Sequence, residues 1–163
     1  MINLSYDRSA AVRYASRWAY GRNPAYFNFS GIGGDCTNFV SQCLYAGSGV
    51  MNYTPDFGWY YISPDNRAAA WTGVEYLYNF LTTNKGAGPF GNETSSDNIE
   101  IGDVIQLGNS NGRFYHTLLV VAKINSTPRG IFVAAHSDDA FLRRLSTYDY
   151  DYIRFIHIIG VRK

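Results

Sequence analysis

The hydrophobic pattern changes period near residue 100, and this change restricts the fold more than any other feature of the 163-residue chain. Before it, apolar residues recur at helical spacing. In "DRSAAVRYASRWAYG", Val12, Ala15, Trp18 and Ala19 form one stripe, with Asp7 placed to cap and Gly21 to stop. In "DCTNFVSQCLYAG", Phe39, Val40, Cys43 and Leu44 form another, between Asp35 at the N-cap position and Gly47 at the end. A third helix is expected from about Ala69 to Thr83, on Val74, Leu77, Tyr78 and Leu81. After the change, "DVIQL", "HTLLVVAKI", "GIFVAA" and "YIRFIHIIGV" are short apolar runs rich in β-branched residues and bounded by turn formers. Residues 48–66 read as an aromatic loop and "NKGAGPFGNETSSDN" as a second loop. Helices first and strands afterwards predict an α+β domain over 1–163, with N-terminal helices packed on a C-terminal antiparallel β-sheet.

Composition narrows the function. Apolar residues make up 46% of the chain, enough for an ordered core, and the net charge of +1 supplies no basic field for nucleic acid. No run is long enough to span a membrane. The start, "MINLSYDRSA", lacks an apolar signal core, which fits a cytosolic chain or a mature domain cut from a longer one. The two cysteines lie on one expected helix, about 10 Å apart along its axis, beyond the roughly 7 Å a disulfide allows. Both are therefore expected to be free.

Cys36 stands where a thiol becomes reactive. At the first turn of a helix it faces unpaired N–H groups and the positive end of the dipole, which favour thiolate. Its own N–H can face an oxyanion, and Gly33 and Gly34 let a substrate backbone approach. Cys43, mid-helix on the apolar stripe, reads as core. Asp35 opposes thiolate formation and reads as a cap or as a group that holds a substrate cation.

A thiol nucleophile needs a base. His116 opens one strand and His136 closes the next. A hairpin around "NSTPRG" that brings Ile124 near Ile131 puts His116 opposite positions 136 to 139. One of His136, Ser137, Asp138 and Asp139 can then orient the base; His136 is the first choice and Asp138 the second. His157, among apolar neighbours in "FIHIIG", reads as structural.

These residues resemble a known group. "NPAYFNFSGIGGDCTNFVSQCLYAG", "AAAWTGVEYLYNFL", "IEIGDVIQL", "HTLLVV" and "AAHSDD" are similar, in this order, to the bacterial "putative amidase domain" family. That family belongs to the papain-like superfamily of cysteine peptidases and amidases, with NlpC-like and CHAP-like cell-wall hydrolases as relatives. The resemblance implies a papain-like fold, a catalytic Cys36, a base at His116 and a third member at His136. It implies that Asp35 binds a substrate amino group, and that an upstream side chain, Tyr26 or Asn28, completes an oxyanion hole. It further implies a peptide or peptidoglycan substrate and a location outside the cell or at its wall, with a cytoplasmic one as the alternative; no cofactor and no metal are expected.

The expected reaction is hydrolysis of an amide through a thioester. Trp59, Tyr60 and Tyr61, with Trp71, are candidates to wall the cleft; the alternative is plain core packing. Three rival readings stand beside it: an acyltransferase on the same Cys–His pair, a catalytically inactive cell-wall binding module, and a zinc site of Cys36, His116 and His136, which lacks short ligand spacings.

Overall fold

The computed structural model describes residues 1–163. It is a mixed α/β structure with four helices and a large antiparallel sheet. The helices are α1 (Arg8–Trp18), α2 (Cys36–Ser48), α3 (Ala69–Thr72) and α4 (Val74–Thr83). The strands are β1 (Asn3–Leu4), β2 (Tyr61–Ser63), β3 (Asn66–Arg67), β4 (Gly88–Thr94), β5 (Val104–Gly108), β6 (Phe114–Lys123), β7 (Ile131–Ala135), β8 (Ala140–Arg144) and β9 (Tyr152–Arg162). Seven strands form one sheet in the order β1-β9-β5-β6-β7-β8, with β4 also paired to β9; β2 and β3 make a separate hairpin. No helix is long and apolar enough to cross a membrane.

The helices pack on one face of this sheet. Alternation along β6 sends Leu119 and Val121 into the helix-facing core, with Phe39, Val40, Cys43, Leu44, Trp59 and Trp71. Leu118 and Val120 point to a smaller core on the opposite side, with Ile105, Leu107, Val133 and Leu145. Asp7 caps α1 by accepting from the Ala10 N–H at 2.9 Å. Helix α1 presents only small residues inward, Ala11, Ala15 and then Ala19. This brings it so close to α2 that a Cβ on Gly47 would stand 2.5 Å from the Tyr6 ring.

Helix α2 is enclosed: every residue from Cys36 to Leu44 is buried. Its polar side chains must therefore find partners inside the protein. Thr37 Oγ1 meets Thr117 Oγ1 on β6 at 2.9 Å. Asn38 Nδ2 donates to the Phe27 carbonyl, and its Oδ1 accepts from Trp71 Nε1 at 3.0 Å. Ser41 Oγ donates to the Trp71 carbonyl and accepts from Trp59 Nε1. Gln42 Oε1 accepts from the Tyr14 hydroxyl. The motif "TNFVSQ" is thus largely a scaffold that ties two tryptophans, α1 and the sheet to one helix.

The structure departs from the sequence expectations at definite places. The third helix breaks at Gly73, which is extended (φ −108, ψ 129) and packs under Tyr76. Helix α2 runs past Gly47 and stops at Gly49, which has φ 66. The segment "GPFGNET", expected to be loop, is β4. Its Gly and Asn are poor strand formers, and pairing with β9 imposes the strand; at its bulge a Gly91 Cβ would lie 2.2 Å from the His157 carbonyl. The aromatic loop contains the β2–β3 hairpin and an Asn52–Trp59 bridge. The β6–β7 hairpin pairs Lys123, not Ile124, with Ile131, and is bulged between Val120 and Ala122.

Ser41→Ala is expected to leave Trp59 Nε1 without an acceptor in the core. It should lower stability by about 1–3 kcal/mol, read from the denaturant midpoint.

Candidate active site

A buried carboxylate organises the start of α2. Asp35 occupies the N-cap position, yet its side chain makes no capping bond. Its Oδ1 instead accepts from the Phe29 N–H and from Asn38 Nδ2, both at 2.9 Å. Its Oδ2 accepts from His136 Nδ1 at 2.5 Å, with Arg22 Nε 3.4 Å away. Burial alone would raise this carboxyl, but the His136, Asn38 and Phe29 donors hold it below the ordinary 3.8. Asp35 is fully buried, so this geometry makes it an internal anchor and leaves no face for a substrate cation.

His136 is equally committed. Its second nitrogen, Nε2, faces the Trp18 carbonyl at 2.8 Å, and its ring stacks on Phe39 with centroids 4.0 Å apart. Nδ1 donates to the Asp35 carboxylate, and Nε2 lies between the Trp18 carbonyl and Arg22 Nη1, 3.3 Å away. Arg22 continues the network with a two-pronged bond to Asp139 at 2.9 and 3.1 Å. The turn between His136 and Asp139 holds Ser137 and Asp138 at positive φ, the sign that primed hairpin turns require at both central positions. His136 thus meets Asp35 and not His116, and Asp138 turns outward to Arg143 Nη1 at 3.1 Å. Neither expected orienting group is bonded to His116.

Turning the Asp35 carboxylate away leaves the helix N-terminus open. The ladder of α2 begins with the Phe39 N–H on the Asp35 carbonyl, so the N–H groups of Cys36, Thr37 and Asn38 come before it without an acceptor. Gly33 and Gly34, with φ 82 and 100, lead the chain into this turn by a path that side-chain-bearing residues rarely take. Cys36 is buried to 8% exposure, and its Sγ has Thr37 Oγ1 as its hydrogen-bond neighbour at 3.7 Å. Cys43 is sealed in the core, where burial pushes its thiol well up.

His116 lies at the rim of the sheet. It immediately precedes Thr117, as Cys36 precedes Thr37, and these two threonines are bonded to each other. A bulge between the Leu107–His116 and Gly108–Phe114 pairs distorts the strand there. Its neighbours are aromatic and charged: Tyr148 with centroids 5.8 Å away, Tyr115, Arg143 and Asp138. The imidazole makes no hydrogen bond, unlike those of His136 and His157. Burial, and then the Arg143 charge, push it down from 6.5 to about 4, against the opposing pull of Asp138.

The remaining sequence candidates fall elsewhere. Trp59 and Trp71 are fully buried and stacked on each other at 4.7 Å, so they are core and not cleft walls. Tyr61 is also buried, and its hydroxyl accepts from the Phe27 N–H. Tyr26 packs on Tyr61 and Trp71. Asn28 is exposed and accepts from the Ser30 N–H. His157 Nδ1 donates to Asp103, itself bound by Arg8 and the Ile158 N–H, a structural latch from β9 to α1. Arg22, Tyr148 and Arg143 escaped the sequence reading, since no spacing in the chain links them to the motif.

Asp35→Ala is expected to leave the buried His136 Nδ1 and Asn38 Nδ2 donors without their acceptor and to cost about 1–3 kcal/mol of unfolding free energy. In the intact protein, the contribution of the lowered Asp35 carboxyl is complete above its ordinary 3.8 and is lost as pH falls through the lower folded value. Acid titrations of wild type and variant, followed by circular dichroism, should therefore converge at the acid end.

The sequence profile described as "Putative amidase domain" matches residues 5–159. A relative in Bacillus subtilis (strain 168), "Uncharacterized protein YhbB", is 38% identical over 123 residues, 74% of this chain. The chain spans only 38% of that protein's length. No solved structure matches. With a match that runs from ahead of α1 almost to the end of β9, the chain belongs to the "Putative amidase domain" family.

Proposed function

We propose that the chain is a cysteine-dependent amidase of papain-like type, with Cys36 as nucleophile and His116 as general base. Family membership supports amide hydrolysis. One observation carries the choice of residues: among three imidazoles, His116 alone is without a hydrogen-bond partner, and it sits beside the residue that bonds to the neighbour of Cys36.

The reaction proceeds by acyl transfer. His116 is neutral at any pH above about 4, so it is ready to accept the thiol proton. The Cys36 sulfur then attacks the amide carbon, and the carbonyl oxygen becomes an oxyanion. The unpaired N–H groups of Cys36 and Thr37 are the donors on hand to receive that charge. The imidazolium gives its proton to the departing amine, and water hydrolyses the thioester with His116 again as base. The reaction requires the sulfur and the imidazole to lie within hydrogen-bond reach in the substrate complex. His136 and Asp35 hold the helix terminus in place and do not touch the reacting atoms.

The substrate class we propose is the peptide portion of bacterial cell wall, acted on outside the cell. This rests on the resemblance of "GGDCTNFVSQCL" and "AAHSDD" to cell-wall hydrolases.

Digestion of purified peptidoglycan, analysed by mass spectrometry, should yield new peptide fragments with wild type and none with Cys36→Ala. Fragments matching the untreated control in both cases would remove the cell-wall assignment. On any substrate that is cleaved, the acid limb of kcat/KM should fall near pH 4 and not near 6.5, the ordinary histidine value.

A further inference from the structure

Tyr148 follows a short 3₁₀ turn, Leu145–Thr147, whose Leu145 is buried in the smaller core. Three contacts fix its place. The Arg143 guanidinium lies 3.7 Å over its ring, the Tyr115 hydroxyl donates to the Asp149 carbonyl at 3.0 Å, and the Tyr148 N–H donates to the Leu145 carbonyl. Its ring centroid stands 5.8 Å from that of His116. Its hydroxyl is sealed from solvent and completes no well-aligned hydrogen bond, with the Arg143 guanidinium as a polar neighbour. Buried hydroxyls are normally partnered. Two adjacent groups, one imidazole and one hydroxyl, are both unpaired at the rim of the sheet.

We infer that Tyr148 is the positioning residue for His116: its hydroxyl accepts a hydrogen bond from one imidazole nitrogen and so leaves the other as the proton acceptor. The inference rests on the Cys36–His116 reading and deepens it. The groups that sequence order favoured are committed elsewhere, His136 to Asp35 and the Trp18 carbonyl, and Asp138 to Arg143 with 88% of its side chain exposed. Tyr148 keeps its own proton, because burial raises its hydroxyl. It therefore accepts from the imidazole N–H throughout, while the second nitrogen takes the thiol proton and returns it to the leaving amine. Arg143 holds the tyrosine ring, and the charges around the imidazole are Arg143 and Asp138.

The test is the rate of iodoacetamide labelling at Cys36 as a function of pH, in wild type, Tyr148→Phe and His116→Ala, with melting curves to confirm that each variant is folded. Tyr148→Phe should label about tenfold more slowly from pH 6 to 8, the effect of one hydrogen bond on the base. It should rejoin wild type at alkaline pH, where thiolate forms without help. A mere packing defect would slow labelling equally at every pH, and that result overturns the assignment. Wild-type rates for Tyr148→Phe beside slow His116→Ala also overturn it, but leave the Cys–His pair standing. Wild-type rates for both variants overturn the pair and the assignment together.

Discussion

The structure around the thiol depends on one buried carboxylate, Asp35, and its hydrogen bond with His136. Removing a carboxylate from water is expensive unless attraction and hydrogen bonds replace its hydration. Here three donors converge on two oxygens, from the loop at Phe29, from Asn38 in α2 and from His136 after β7, and the Arg22 guanidinium approaches to 3.4 Å. The donors come from different segments, so the carboxylate is satisfied only when those segments meet. The pair acts as a checkpoint for assembly. It also explains why the helix start stays open: a carboxylate committed sideways cannot cap the N–H groups of its own helix.

That coupling separates two kinds of residue within one short motif. Thr37, Asn38, Ser41 and Gln42 are polar residues in a buried helix, and each is matched to a partner outside it. They place α2 against the sheet and the tryptophans. Cys36 has only a long contact to Thr37 Oγ1. In a segment where every other polar group is paired, the weakly engaged thiol and the acceptor-free N–H groups beside it are the places where chemistry can enter.

Much of this was legible in the sequence, for physical reasons that differ by element. The α1 and α2 stripes and strands β5, β6, β7 and β9 announced themselves by period and by β-branched residues. Strand β4 did not, because "GPFGNET" has no strand propensity and exists only by pairing with β9. The break at Gly73 was hidden inside an unbroken helical stripe. At the candidate site, the place of Cys36 at a helix start and of His116 near a strand start was legible. The partners were not. Side-chain pairing depends on register and on which face a residue takes, and these are set by the bulges at Val121 and Tyr115, which no spacing rule reveals. Trp59, Tyr61 and Trp71 misled because aromatic residues serve clefts and cores alike.

The two histidines that looked equivalent in sequence show how environment assigns roles. His136 meets a carboxylate, a carbonyl and the Arg22 guanidinium, so both of its nitrogens are committed to the fold. His116 meets aromatic rings and an arginine, so it is kept neutral. Under the proposed mechanism a neutral His116 takes the thiol proton only as attack proceeds, so positive charge forms only as the oxyanion does, which is the condition under which electrostatic stabilisation lowers a barrier instead of merely tightening ground-state binding.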